Sequence, residues 1–144
     1  MTPYTLYRLQ ENSDVPELRP WHFNFVTNYR FSQGKLKGVN VGGSYRWQDS
    51  QVTGYRLVGT GSPTDPVNYD LKNPYRGPKE GNVDLWFGYE RKLTDKIKWR
   101  AQVNLQNVTT EKKLIPVTVQ GDGSLAVGRI PDLFRWTLTN SFTF

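Results

Sequence analysis

The chain has no cysteine, one histidine and one methionine in 144 residues. Without cysteine there is no disulfide framework, no thiolate zinc site and no cysteine nucleophile. A single histidine excludes a multi-histidine metal centre. Long hydrophobic runs are also missing. Mean hydropathy is −0.66, and no apolar stretch approaches the roughly 18 residues of a membrane helix. The first residues do not read as a basic, apolar, small-residue signal peptide. The length suits one domain with a modest core. Against these scarcities stands one abundance. Five Trp, eight Tyr and seven Phe make 14% of a chain that is polar overall and carries a net charge of +6. So many rings need an apolar environment that the polar remainder does not supply.

Residues 1–20, with Asn12, Ser13, Asp14, Pro16 and Pro20, read as loop. Beyond them the apolar period is two, which predicts strands. Five segments alternate, at about 22–31, 39–48, 82–90, 97–107 and 134–144. Phe23, Phe25, Thr27, Tyr29 and Phe31 share a face in the first, and Val39, Val41, Gly43, Tyr45 and Trp47 in the second. The third offers Val83, Leu85, Phe87 and Tyr89, and the fourth Ile97, Trp99, Ala101, Val103 and Leu105. The last offers Phe134, Trp136, Leu138, Phe142 and Phe144, with Asn140 as the one polar intruder. The opposite faces carry Arg30, Arg46, Lys98, Arg100 and Arg135 among Asn, Gln, Ser and Thr. Connections alternate short (32–38), long (49–81), short (91–96), long (108–132). The second long one is expected to hold a hairpin, Val117 and Val119 before Gly121-Asp122-Gly123 and Leu125 and Val127 after it.

The fold class this predicts is all-β, an antiparallel membrane-type sheet. A strand of about ten residues, at roughly 3.3 Å each and tilted near 45°, spans about 23–25 Å, the apolar band of an outer-membrane barrel. Tyr29, Phe31, Tyr89, Trp99, Phe142 and Phe144 fall towards the short-turn ends, and Phe23, Tyr45, Trp47, Phe134 and Trp136 towards the long-loop ends. These make two lipid-facing aromatic girdles around an aliphatic belt. Short turns then face the periplasm and long loops the outside. The cationic face would line a watery lumen, either attracting anionic solutes or being neutralised by Asp84 and Glu90. A soluble antiparallel barrel or sandwich that binds a ligand or nucleic acid gives the same alternation and remains the alternative.

Enzymatic chemistry has little support, and no cofactor or metal is expected. His22 reads as a wall residue beside Trp21, and Asp65, Asn68 and Asp70 lack calcium-loop spacing and read as turn residues. Val58-Gly-Thr-Gly-Ser62 is too short for a phosphate cradle. Nucleic acid is not an expected partner, because stacking platforms need rings and cations on one face, and here the alternation separates them.

The terminal stretch Phe134-Arg-Trp-Thr-Leu-Thr-Asn-Ser-Phe-Thr-Phe144 resembles the closing β-signal of outer-membrane barrels. Together with Pro20-Trp-His-Phe-Asn-Phe-Val-Thr-Asn-Tyr29, Leu36-Lys-Gly-Val-Asn-Val-Gly-Gly-Ser-Tyr-Arg-Trp-Gln48 and Trp99-Arg-Ala-Gln-Val-Asn-Leu-Gln-Asn-Val108, it makes the chain resemble the C-terminal barrel portion of TonB-dependent receptors, from about residue 15 to 144. The resemblance implies the closing strands of a 22-strand barrel in the bacterial outer membrane. It also implies a parent protein that imports a scarce solute (a ferric siderophore, cobalamin or glycan) with TonB-coupled energy. Phe142 and Phe144 would then be the signal read by the barrel-assembly machinery. Other partners would be membrane lipid, the remaining strands, a plug domain, and TonB acting through that plug. No plug or TonB box is visible, and five strands cannot close a barrel, so residues 1–144 are expected to be a C-terminal fragment, with Met1 internal to the parent or a false start. In the long loops Tyr55, Arg56, Tyr69, Tyr75 and Arg76 would be the ligand-contact residues.

Overall fold

Where rings and polar groups alternate, an extended segment carries one apolar and one polar side, and it satisfies its backbone by pairing with a neighbour of the same pattern. The computed structural model describes Glu11, Asp14, Val15 and residues 17–144. The loop reading at Asn12, Ser13 and Pro16, like that of residues 1–10, lies outside the described residues. Among the described residues nine strands are present: β1 (His22–Arg30), β2 (Val39–Gln48), β3 (Val52–Val58), β4 (Asn68–Arg76), β5 (Glu80–Lys92), β6 (Lys98–Gln106), β7 (Ile115–Val119), β8 (Leu125–Arg129) and β9 (Arg135–Thr143). Among the described residues the only helical element is one 3₁₀ turn, Gly34–Leu36. The protein is all-β.

The chain divides into two units. One holds residues 22–48, 81–112 and 131–144 and is a single five-stranded sheet in the order β1-β2-β5-β6-β9. These are the five alternating segments, paired in the order they are met along the chain. β1 and β2 are antiparallel, with Phe23 opposite Trp47, Phe25 opposite Tyr45 and Tyr29 opposite Val41. β5 and β6 place Leu85 opposite Leu105, Phe87 opposite Val103 and Tyr89 opposite Ala101. β6 and β9 place Trp99 opposite Phe142, Val103 opposite Leu138 and Leu105 opposite Trp136. Apolar side chains therefore meet apolar ones across each of these pairs, and a one-residue slip would move every ring to the other face. The third strand runs two residues further at each end than the 82–90 expected, so Arg91 is not a turn residue. It stands opposite Trp99 on the ring-bearing face.

β2 and β5 are joined through two glycines. A Cβ on Gly42 would overlap the indole of Trp86. The ring thus lies flat over the bare backbone of β2 and reaches β1, where its Nε1–H donates to Asn28 Oδ1 at 2.9 Å. A Cβ on Gly38 would overlap the carbonyl oxygen of Glu90, whose own N–H donates to the Gly38 oxygen at 2.9 Å. Gly38 beside Glu90 and Gly42 beneath Trp86 run in opposite senses, so this pairing is antiparallel too.

The second unit holds residues 49–80 and 113–130 with the described residues up to and including Trp21. Here the reading of 49–81 as a loop is corrected: β3 and β4 form an antiparallel hairpin inside it. Its register shifts between Val52 and Gly54 and between Tyr55 and Arg56. Those irregularities break the period of two, and Pro74 within β4 further disguises it. β7 and β8 form the second hairpin around Gly121-Asp122-Gly123, where the turn chemistry puts it. Both hairpins contribute to one small core, with Val52 2% exposed, Thr53 1%, Tyr55 8% and Ile115 9%. Leu57 N–H donates to Gly121 O at 3.2 Å, tying the first hairpin to the turn of the second.

Carboxylates hold the irregular points of this unit, a bulge of β4 at Asp70 and the β7–β8 turn at Asp122; Asn68 and Asp70 are thus strand residues, not the turn residues expected. Asp70 accepts from Asn73 Nδ2 at 2.7 Å and from the Lys72 N–H at 3.1 Å. Asp122 accepts from the Ser124 N–H at 2.8 Å. The Asn73 side-chain bond holds Asp70, and the Ser124 side-chain and backbone bonds hold Asp122, below the ordinary 3.8. A depressed folded value favours folding above the unfolded value, and that contribution fades as pH falls through the folded one. The protection of the Lys72 and Ser124 amides, measured as exchange relative to the intrinsic base-catalysed rate, is therefore expected to be constant above about pH 5 and to fall as pH drops below the unfolded carboxylate range near 4 and on through the lowered folded values. In an Asp122→Asn protein the Ser124 amide should lose this acid dependence. Retention of it would assign the effect elsewhere.

Candidate functional site

β-strand periodicity decides which side chains of the sheet stand together. The polar face carries Arg30, Arg46, Lys98, Arg100 and Arg135, as the alternation predicts. The register places them on the side opposite Phe23, Tyr29, Tyr45, Trp47, Tyr89, Trp99, Trp136 and Phe142. Phe31 follows β1 and makes an edge-to-face contact with Tyr29 at 4.9 Å between centroids, so it continues the same face. Tyr89 and Trp99 make a second edge-to-face pair at 6.1 Å. Phe134 precedes β9 and Phe144 follows it, the latter 90% exposed. On the ring face Asn140 accepts from the indole N–H of Trp99 at 3.3 Å. The polar intruder is thus the partner of the one ring donor beside it.

The cations of the polar face are largely engaged with neighbours. Arg30 pairs with Glu90 at 3.0 Å. Arg46 pairs with Asp84 at 3.2 Å and donates to Asn107 Oδ1 at 3.2 Å. Asp84 in turn accepts from Ser44 Oγ at 3.1 Å and the Asn107 N–H at 2.8 Å. Arg135 donates to Gln106 Oε1, its Nε at 3.0 Å. Along β6 the bonds run on, from Arg100 to Gln102 at 2.7 Å and from Gln102 to Asn104 at 2.7 Å. These pairs stand in the open, where each is worth little to stability. Their effect is to hold long side chains in fixed positions.

At the end of this face nearest the long connections, a hollow is lined by Arg46, Asp84, Gln106, Asn107, Asp132, Leu133 and Arg135. Two guanidiniums, two carboxylates and two carboxamides converge there. Such a wall offers hydrogen bonds of both senses to a polar solute. It contains no nucleophile–base pair, and among the described residues no cluster of three or more His, Asp or Glu is placed to hold a metal ion. His22 stands on the polar face opposite Gln48. Asp65 accepts from the Thr60 N–H at 2.8 Å and serves its own turn.

The loop residues expected at a ligand fall into four positions, all on the strands of the hairpin unit. Tyr55 is a core residue: its ring is buried and its hydroxyl donates to Asp14 O. Arg56 lies over the Tyr75 ring at 5.1 Å, and Arg76 pairs with Asp14 at 2.7 Å. Tyr69 is 46% exposed and is the freest ring of the set. Sequence reasoning missed the pairing of Glu80 with both Arg19 and Arg129. No local signal announces it, because the partners are 61 and 49 residues apart. No family model, curated protein or solved structure matches this chain.

Proposed function

We propose that the five-stranded sheet is part of the wall of an outer-membrane β-barrel, and that the barrel is a TonB-dependent receptor importing a scarce, bulky solute. The observation that carries this reading is the sheet's lack of a core. Among its described residues only Gly42 and Gly88 are buried. Phe23, Phe25, Tyr29, Trp136, Leu138 and Phe142 are each more than half exposed on one face. A large apolar side chain left in water forgoes roughly 1.5–3 kcal/mol of burial, and this face repeats that loss strand after strand. Lipid removes it without a second protein layer. The reverse face, dense in hydrogen-bonded Arg, Gln and Asn, suits a water-filled lumen.

In this reading the rings at the strand ends meet the headgroup layers. The polar hollow around Arg46 and Arg135 faces the solute path. The long connections face outside, and their Tyr69 and Arg56–Tyr75 stack meet the ligand. β9, with Phe142 and the Phe144 that follows it, is the strand offered to the assembly machinery, and the plug through which TonB acts belongs to the rest of the receptor. Refolding tests the reading. The chain is expected to aggregate in plain buffer and to gain cooperative β-structure, followed by far-UV circular dichroism, only with detergent micelles. A monomeric, cooperatively folded protein in buffer would overturn it in favour of a soluble sheet.

A further inference from the structure

We infer that the short-turn end of the sheet is a docking surface for the headgroups of anionic phospholipids. The inference rests on the membrane reading above and deepens it by assigning a lipid class to one end of the wall.

Charge is distributed very unevenly. Residues 30–38 and 89–98 together hold seven Lys and Arg against only Glu90 and Asp95, five of the chain's six net positive charges. The two turns that carry them are neighbours, because β2 pairs with β5 and the Glu90 N–H bonds to Gly38 O. Glu90 is already engaged with Arg30 at 3.0 Å. Lys92 stands directly opposite Lys98, an arrangement that repels unless an anion sits near it. Arg91 projects on the ring face opposite Trp99, level with the edge-to-face pairs Tyr29–Phe31 and Tyr89–Trp99. A hollow at this end is lined by Arg30, Phe31, Lys37, Tyr89 and Arg91 among others. Rings and cations in one hollow match a molecule that is apolar below and anionic above. A free phosphate has no use for Phe31 and Tyr89, whereas a phosphatidylglycerol headgroup at the girdle meets both.

The test uses the full chain with vesicles of phosphatidylcholine, alone or with about 25% phosphatidylglycerol, read by co-sedimentation and circular dichroism. Each Lys or Arg near an anionic surface contributes about fivefold in binding. The combined substitution Lys35→Gln, Lys37→Gln and Lys96→Gln is therefore expected to cut the anionic preference on the order of 100-fold. Removing Lys72, Lys112 and Lys113 in the same way should leave that preference unchanged. Salt of about 0.5 M should erase it. Equal binding to both vesicles overturns the inference, as does a preference that survives the turn substitutions or is lost equally with the distant ones. So does complete competition by millimolar glycerol phosphate, which would make the surface a site for free phosphate. The underlying reading fails separately. Gain of β-structure on neutral vesicles without anionic preference sinks only the headgroup surface. Failure to gain β-structure on either vesicle sinks the membrane wall and this surface with it.

Discussion

An arginine at Val103 is expected to destabilise the lipid- or micelle-bound protein by about 2–4 kcal/mol, the cost of a cation at the middle of a barrel's lipid face. An arginine one residue earlier, at Gln102, should change stability by no more than about 0.5 kcal/mol. The two positions are adjacent in β6 and face opposite ways. Val103 lies between Phe87 on β5 and Leu138 on β9. Gln102 lies between Gly88 and Thr139 and already takes a hydrogen bond from Arg100. Nothing in the sheet covers either face, so without a lipid or micelle layer over the rings the two substitutions would cost alike. Urea unfolding of the micelle-refolded variants reads the difference directly. Coincident midpoints would place the ring face in water and end the barrel reading.

The second large effect is expected at Gly38. Its φ is +92°, a conformation that costs an L-residue roughly 1–2 kcal/mol. Gly34, in the same connection, has φ +72° and open space where a Cβ would stand. Gly34→Ala is therefore expected to cost about 1 kcal/mol, backbone strain alone. Gly38→Ala adds a collision with the Glu90 carbonyl, backbone against backbone, where no side chain can swing away. Overpacking of that kind typically adds 1–3 kcal/mol, for a total of about 2–5 kcal/mol. The same unfolding series measures both, and the gap between the two variants isolates the join of β2 to β5. Equal losses would mean that the two strands separate freely there.

Much of the sheet was legible because little interrupts its alternation, Asn140 and Arg91 on the ring face and Trp86 on the polar one being the exceptions. In β6, Trp99, Ala101, Val103 and Leu105 take one side and Lys98, Arg100, Gln102 and Asn104 the other. A strand that is apolar on one side advertises itself. The hairpin of β3 and β4 was illegible for the opposite reason. Its bulges shift the side-chain phase, Pro74 occupies a strand position, and its core comes from Val52, Thr53, Tyr55 and the distant Ile115. Tyr55 therefore reads as a loop aromatic while serving as packing. The candidate site shows the same split. Which face carries Arg46 and Arg135 follows from parity alone. That Arg46 engages Asp84 and Asn107 depends on contacts 38 and 61 residues away, which no short-range pattern encodes.

The indole of Trp86 carries a consequence for strand slippage. A sheet with few buried side chains has little to resist one strand sliding past the next by a full two-residue step, a move that keeps every side chain on its proper face. On the polar side of β2 the residues are Asn40, Gly42, Ser44, Arg46 and Gln48, and only one of them leaves the backbone bare. A two-residue slide in either direction would bring Asn40 or Ser44 beneath the ring and pull the indole from Asn28 on β1. Trp86 and Gly42 thus act as a detent. They lock β1, β2 and β5 in one alignment from the middle of the sheet, where hairpin turns at the ends have least leverage.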